Sequence, residues 1–279
     1  MKNYTIFINT CDKFQDCWEP FFKLFSIYWP NYKGKIYLNT EYKEFNYNKL
    51  NIISIKGCAG KQDAHKITWS ECLFRALNTI EEDIILYLQE DYFFKDFVKN
   101  DIIEKYANLM NDNFDIDCIH LTDQAVASND IVTKFDGLKN VLLKQRYRIS
   151  CQAALWRKET LLSYVRTHES AWQFEEFGSQ RSSLKSHNFF VVDPKWVELD
   201  RYEIIPYIFT GIVQGRWYEK VVPLFVKHEI VVDFSKRGFV QDAKPKPIFK
   251  KILFQLNRIP ALITHKIEML KTYKLKDKF

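Results

Sequence analysis

Residues 84–94 read Ile84-Ile85-Leu86-Tyr87-Leu88-Gln89-Glu90-Asp91-Tyr92-Phe93-Phe94. The apolar run 84–88 lacks the alternation of a half-exposed strand. It predicts a strand buried on both faces, as in a parallel sheet covered by helices. That strand delivers two adjacent carboxylates, Glu90 and Asp91, at its C-terminal end. In open α/β sheets ligands bind beyond the carboxyl ends of strands, so both acids are expected at the rim of a cleft. Carboxylates there suit a hard divalent cation such as Mg²⁺ or Mn²⁺, which takes oxygen ligands and bridges phosphate oxygens. The plainer alternative is a strand-end turn with solvated acids.

Outward from this stretch, the first 120 residues alternate strand and helix. Tyr4–Asn9, Lys35–Leu38, Ile52–Ile55 and Ile116–Leu121 read as strands. Asp16–Trp29 spaces Trp18, Phe21, Phe22, Phe25 and Trp29 along a helix closed by Pro30, and Phe97–Met110 reads as another helix. Thr68, with Glu71 three residues on, is a capping-box start for a helix to about Ile80. This order predicts an α/β fold with a mostly parallel, Rossmann-like sheet flanked by helices. Beyond Leu121, residues 122–138 read as loop, 141–150 as extended, 157–165 and 171–184 as helices, and 189–192 as a strand. Residues 211–217 read as a short loop leading into a helix.

Composition narrows the function. Of 279 residues, 47% are hydrophobic and 27% charged, which excludes a disordered chain. No apolar run is long enough to span a membrane, and the N-terminus has no secretory pattern, so a cytoplasmic location is expected. The six cysteines (11, 17, 58, 72, 118 and 151) are scattered. They read as reduced, mostly core residues, with no spacing that predicts a structural zinc. The net charge of +6 is uneven: ten basic residues against Glu268 and Asp277 put +8 on residues 244–279 and leave −2 on residues 1–243. The body is therefore not expected to bind nucleic acid. The tail interleaves Lys with Ile, Leu and Phe, predicting a basic amphipathic helix broken or kinked at Pro260. Two readings of it stand level: adhesion to an anionic membrane surface at the inner face of the cytoplasmic membrane, or packing on the body with a solvated basic face.

Three segments carry a resemblance. Ile6-Phe7-Ile8-Asn9-Thr10-Cys11-Asp12, Trp69-Ser70-Glu71-Cys72-Leu73-Phe74-Arg75-Ala76-Leu77 and Leu86-Tyr87-Leu88-Gln89-Glu90-Asp91 follow one another as in the GT-A-fold nucleotide-sugar glycosyltransferases, which this chain resembles, especially the family 2-like bacterial enzymes of surface-polysaccharide assembly. The resemblance covers about the first 120 residues. It implies a GT-A-like catalytic domain over 1–243, with a nucleotide-sugar half (1–121) and an acceptor half (122–243), followed by the tail (244–279). It also implies that Asn9, Thr10, Asp12 and Trp69 belong to the nucleotide site, that Asp91 binds metal or diphosphate, and that Gln89 or Glu90 faces the donor. Gln89 stands where the family usually has its first Asp, which leaves dependence on Mn²⁺ or Mg²⁺ open; Lys or Arg would be the substitute.

The remaining candidates come from local chemistry. Gly57–Lys66, between a strand and a helix, would wrap phosphates, with Lys61 as its cation, although it is no P-loop. Arg216 is a further phosphate candidate, as are His228 and Arg237 by the same resemblance. Gln152, Trp156 and Trp172 are the acceptor candidates, because sugars stack C–H faces on aromatic rings and bond hydroxyls to amides. The same resemblance implies a carboxylate in this part of the chain that deprotonates the acceptor hydroxyl, and Glu175, directly after Trp172-Gln173-Phe174, is preferred over Glu176 for it. An amphipathic helix with solvated glutamates is the alternative. The expected activity is sugar transfer, with inversion, from a nucleoside-diphosphate sugar (a UDP-sugar foremost) to a glycan or lipid-linked acceptor. A sugar nucleotidyltransferase and a non-catalytic membrane- or glycan-binding protein are the rivals.

Overall fold

The computed structural model describes residues 4–48, 50–60, 67–122, 128–194, 203–243 and 247–276. The first half alternates as its apolar runs predict: β1 (Thr5–Asn9), α1 (Gln15–Tyr28), β2 (Ile36–Asn39), β3 (Ile52–Ser54), α2 (Trp69–Thr79), β4 (Ile84–Gln89), α3 (Asn100–Asp112) and β5 (Cys118–His120). There follow β6 (Ser128–Val132), β7 (Leu138–Val141), β8 (Ala154–Arg157), α4 (Lys158–Tyr164), α5 (Ala171–Ser182), β9 (Phe189–Val192), β10 (Ile212–Val213), β11 (Arg216–Trp217), α6 (Val221–Lys227) and α7 (Ile248–Lys276).

The main sheet has nine strands in the order β3-β2-β1-β4-β8-β5-β9-β7-β6. β3, β2, β1 and β4 pair in parallel, which gives the Rossmann-like half. β8 then inserts antiparallel between β4 and β5. β5 and β9 are parallel, while β7 and β6 add antiparallel edges. The parallel order therefore holds across β3-β2-β1-β4 and gives way to mixed pairing beyond β4. Two segments differ from the sequence reading. The expected loop at 122–138 contains β6 and the start of β7, and the expected extended stretch at 141–150 is mostly turns after Val141. β7 buries only its two end residues, Leu138 and Val141, too short a pattern to register as alternation.

Strand alternation feeds two cores. Ile6, Ile8, Ile84, Leu86 and Leu88 face α1 and α3 among Phe21, Phe22, Phe25, Ile103 and Met110. Phe7, Ile85 and Tyr87 face α2 and α5 among Leu73, Leu77 and Phe174. Because successive side chains point to opposite faces, a strand with both faces covered must be apolar throughout, which is what 84–88 shows. Thr68 caps α2 by accepting the Glu71 N–H at 3.0 Å.

α7 runs unbroken through Pro260, where a break or kink was expected. Proline removes one backbone bond, and side-chain contacts on both sides of it tie the helix to the body. Arg258 pairs with Glu176, and His265 bonds Gln180 at 2.9 Å and stacks on Phe177. Glu268 meets Arg166. The opposite side leaves Leu253, Leu256, Ile263, Ile267 and Leu270 exposed. Of the two readings of the tail, packing on the body holds for the side that meets α5; among the described residues the other side is an exposed apolar stripe. Among the described residues no helix is long and apolar enough to cross a membrane.

Candidate active site

β4 ends at Gln89, and the chain turns through Glu90 and Asp91 into a cleft of about 530 Å³. The turn is held by a strap from the far end of the chain. Phe94 bridges to Tyr207, and the Gly211 N–H donates to the Asp91 carbonyl at 2.8 Å. A Cβ on Gly211 would lie 2.2 Å from the Phe93 ring, so only glycine permits this crossing. The strap continues into the β10–β11 hairpin, whose turn residues Gln214 and Gly215 both have positive φ (51° and 81°), as a two-residue type I′ turn requires. A hairpin thus replaces the loop expected at 211–217, with α6 following.

Both acids are buried. Asp91 Oδ2 accepts from Thr210 Oγ1 at 2.5 Å and from the Ile212 N–H at 3.2 Å. Its Oδ1 is buried with no hydrogen-bond partner. Burial pushes the Asp91 carboxyl above its ordinary value despite these bonds. Glu90 is pushed well up, first by burial and then by the charge of Asp91. The Arg237 guanidinium opposes both shifts, but it is committed to Asp16 through Nε (2.7 Å) and Nη2 (2.6 Å). Among the described residues the acids therefore have no cation of their own.

The cleft floor is a polar ladder across three strands. Asn39 Nδ2 donates to Asn9 Oδ1 at 2.7 Å, Asn9 Nδ2 to Tyr87 Oη at 3.1 Å, and Gln89 Nε2 to Tyr87 Oη at 3.5 Å. Thr10 Oγ1 accepts from the Trp18 indole at 2.8 Å. The opposite wall comes from α5 and the segment before β8. Ser170 and Gln173 form a capping box that starts α5, and the buried Glu169–Arg181 pair (2.5 and 2.7 Å) fixes the entry to it. One turn in, Glu175 Oε1 accepts the Cys151 N–H at 2.8 Å. Burial raises the Glu175 carboxyl, and this bond partly offsets the shift. Gln152 is held between Tyr92 Oη (3.0 Å) and Tyr207 Oη (2.8 Å), whose rings stack at 4.7 Å. Trp172 stands 72% exposed at the rim.

Of the residues singled out from sequence, Asn9, Thr10, Trp69, Gln89, Glu90, Asp91, Gln152, Trp172 and Glu175 line this one cleft. Four do not. Asp12 is occupied by the exit of β2, accepting the Glu41 and Tyr42 N–H groups at 3.0 and 3.2 Å. Trp156 is fully buried and packs on Phe189 and His120: β8 turns it to the core, where an indole's large apolar area belongs. Arg216 leaves the cleft on the outer arm of the hairpin and donates to the Arg237 carbonyl at 3.4 Å. Glu176 lies one position around α5 from Glu175 and pairs with Arg258. His228 also stands apart, bonded to Tyr28 Oη at 2.7 Å. Lys61 lies outside the described residues. Sequence reading missed Thr210, whose hydroxyl fixes Asp91, and the Cys151 N–H, which fixes Glu175. A Thr-Gly pair before a hairpin was the available signal for the first; a backbone donor leaves none.

No family model and no curated protein matches the chain. Solved structures that resemble it include S. aureus TarS 1–349, at a TM-score of 0.44 and 12% identity over 73% of this chain and 59% of that one. TarS 1–349 in complex with UDP-GlcNAc gives 0.42 and 14% over 73% and 57%. The bifunctional IspDF from Campylobacter jejuni gives 0.33 and 12% over 73% and 51%. The chain thus spans less than two thirds of each of these neighbours. At such scores the likeness assigns no activity, and the functional reading rests on the cleft.

Proposed function

We propose that the chain is a GT-A-like glycosyltransferase that moves a sugar from a nucleoside-diphosphate donor to a glycan or lipid-linked acceptor by single displacement. One observation carries the reading: a buried acid pair at the end of a central parallel strand faces, within one cleft, a separately held glutamate with a raised carboxyl pKa. Two carboxylate stations in one cleft suit two tasks, organising a diphosphate leaving group and taking a proton from an acceptor hydroxyl. A binding protein has no need of a buried acid pair, whose burial is costly.

Glu175 is the proposed base. Its Cys151 N–H bond holds one oxygen and leaves the other for the acceptor, while Trp172 offers a stacking face at the entrance. Asn9, Thr10, Trp69 and Gln89 are the proposed nucleotide-side contacts. The acids fit a divalent cation, because Asp91 Oδ1 is buried without a partner and Arg237 is held by Asp16. Asp91, with Glu90 beside it, would hold Mn²⁺ or Mg²⁺, which neutralises charge on a leaving diphosphate. The exposed stripe of α7 and its lysines would rest on an anionic bilayer, where lipid-linked acceptors are presented. The domain division at residue 243 belongs to the same proposal.

The test is thermal unfolding with UDP, GDP, CMP and ADP, each with and without Mn²⁺. A ligand that binds only the folded state raises its stability by mass action. The proposal expects a shift with one nucleoside diphosphate, larger with Mn²⁺. No shift with any nucleotide would refute it, and release of pyrophosphate from a nucleoside triphosphate and a sugar phosphate would favour the nucleotidyltransferase.

A further inference from the structure

Behind the nucleotide side of the cleft, three residues distant in sequence converge. Cys58, Cys72 and Glu41 place their Sγ and carboxylate atoms within 4.8 Å of one another. The two sulfurs are 3.7 Å apart. A tetrahedral ion with Zn–S bonds of about 2.3 Å holds its sulfurs about 3.8 Å apart. Their separation is thus already that of a zinc-thiolate edge.

The surroundings hold these groups in place. The Cys58 N–H donates to the Glu41 carbonyl at 2.9 Å, so two of the three residues are fixed to each other through the backbone. Glu41 Oε2 accepts the Asp12 N–H at 3.1 Å, which orients the carboxylate and leaves its other oxygen free to coordinate, as outer-shell donors do in metal sites. Arg75 donates to the Gly57 carbonyl at 3.2 Å, which anchors the turn that carries Cys58. Both cysteines are buried and Glu41 is half-buried, so an ion would enter from the carboxylate side. Cysteine spacing alone predicts no such site, because 58 and 72 are brought together by the fold and the third ligand precedes both.

We infer that Glu41, Cys58 and Cys72 form a binding site for a soft divalent cation, Zn²⁺ foremost. Water or a small ligand would complete a four-coordinate shell. Binding would release the two thiol protons and pin the turn at 56–60 to α2 and to the exit of β2. The inference does not depend on the proposed transferase activity.

The full chain, reduced and stripped with a chelator, is titrated with Co²⁺ as a spectroscopic probe and then with Zn²⁺. The expected result is one Co²⁺ per chain with a thiolate-to-cobalt charge-transfer band, its displacement by Zn²⁺, and a rise in Tm with Zn²⁺. Cys58→Ser and Cys72→Ser should abolish the band, and Glu41→Gln should weaken binding about tenfold or more. If a variant loses its circular dichroism signature, protection of Cys58 and Cys72 from alkylation by Zn²⁺ in the wild type, mapped by mass spectrometry, decides instead. No band in the reduced wild type, a band that survives both serine variants, or a Cys58–Cys72 disulfide in protein alkylated at lysis would each overturn the site.

Discussion

Glu175 and Glu176 are adjacent in sequence, and the fold separates them. Glu175 lies in the cleft with its carboxylate bonded to the Cys151 N–H, whereas Glu176 pairs with Arg258 on the outer face of α5. Glu175→Gln keeps an Oε1 that accepts the same N–H but cannot take a proton. Loss of a general base costs about 10²–10⁴ in rate, or roughly 3–5 kcal/mol of barrier at 1.36 kcal/mol per decade. The structural cost is small. Replacing a charged acceptor by a neutral one weakens the bond by about 1 kcal/mol, and removing a buried charge works in the other direction. A Tm change within about 4 °C is therefore expected. Glu176→Gln removes a partly exposed pair worth at most about 1 kcal/mol and should leave turnover within about twofold of wild type. Release of nucleoside diphosphate, followed at saturating donor and acceptor, gives kcat for each variant, and differential scanning calorimetry gives Tm. A Glu175→Gln enzyme within threefold of wild type, or equal losses in the two variants, would refute the assignment of the base.

Further outcomes follow from the same geometry. Glu175 should give two opposite pH slopes, because its folded-state carboxyl lies above its ordinary value of 4.5. Activity should rise with pH as the base ionises through the raised value. The stability contributed by its protonated form is complete below 4.5 and is lost as pH climbs through that same window; urea titrations of wild type and Glu175→Gln across it would show the difference. Asp91→Asn retains an oxygen for Thr210 and Ile212, so it should fold normally while losing both transfer and any Mn²⁺-dependent Tm shift. Gly211→Ala must displace the Phe93 ring or the strap and should cost about 1–3 kcal/mol, read by urea unfolding, with weakened nucleotide binding by calorimetry. Deleting residues 247–279 should abolish sedimentation with phosphatidylserine vesicles, and 0.5 M salt should weaken that binding in the intact chain through screening.

How much of this was legible in the sequence depended on whether the signal was local. The run at 84–88, the Thr68 cap and the acids at 90–91 are local patterns, and the structure places them as elementary chemistry predicts. The antiparallel insertion of β8 between β4 and β5 is a choice of partner, which the apolar stretch Ala153-Ala154-Leu155-Trp156 does not encode. The same ignorance of facing led to Trp156 as an acceptor contact, although it points into the core. Asp12 looked free for a ribose because its partners, the N–H groups of Glu41 and Tyr42, lie about 30 positions away. At 214 a non-glycine residue takes a positive φ, so the turn that makes the β10–β11 hairpin carries only half of its usual sequence mark.

The division of β4 between two cores separates address from content. Ile84, Leu86 and Leu88 belong to one hydrophobic cluster, Ile85 and Tyr87 to the other, so a slip of one residue would exchange every side chain between faces. The place where the strand ends is thus written in 84–88, and what is displayed there is written in 89–91. A substitution at 89 or 90 alters the reagent without moving the workbench, whereas Asp91 also ties down the strap through Thr210 and Ile212. The chemistry displayed at 89 and 90 is therefore separable from the frame beneath it, which is fixed by the alternation of 84–88.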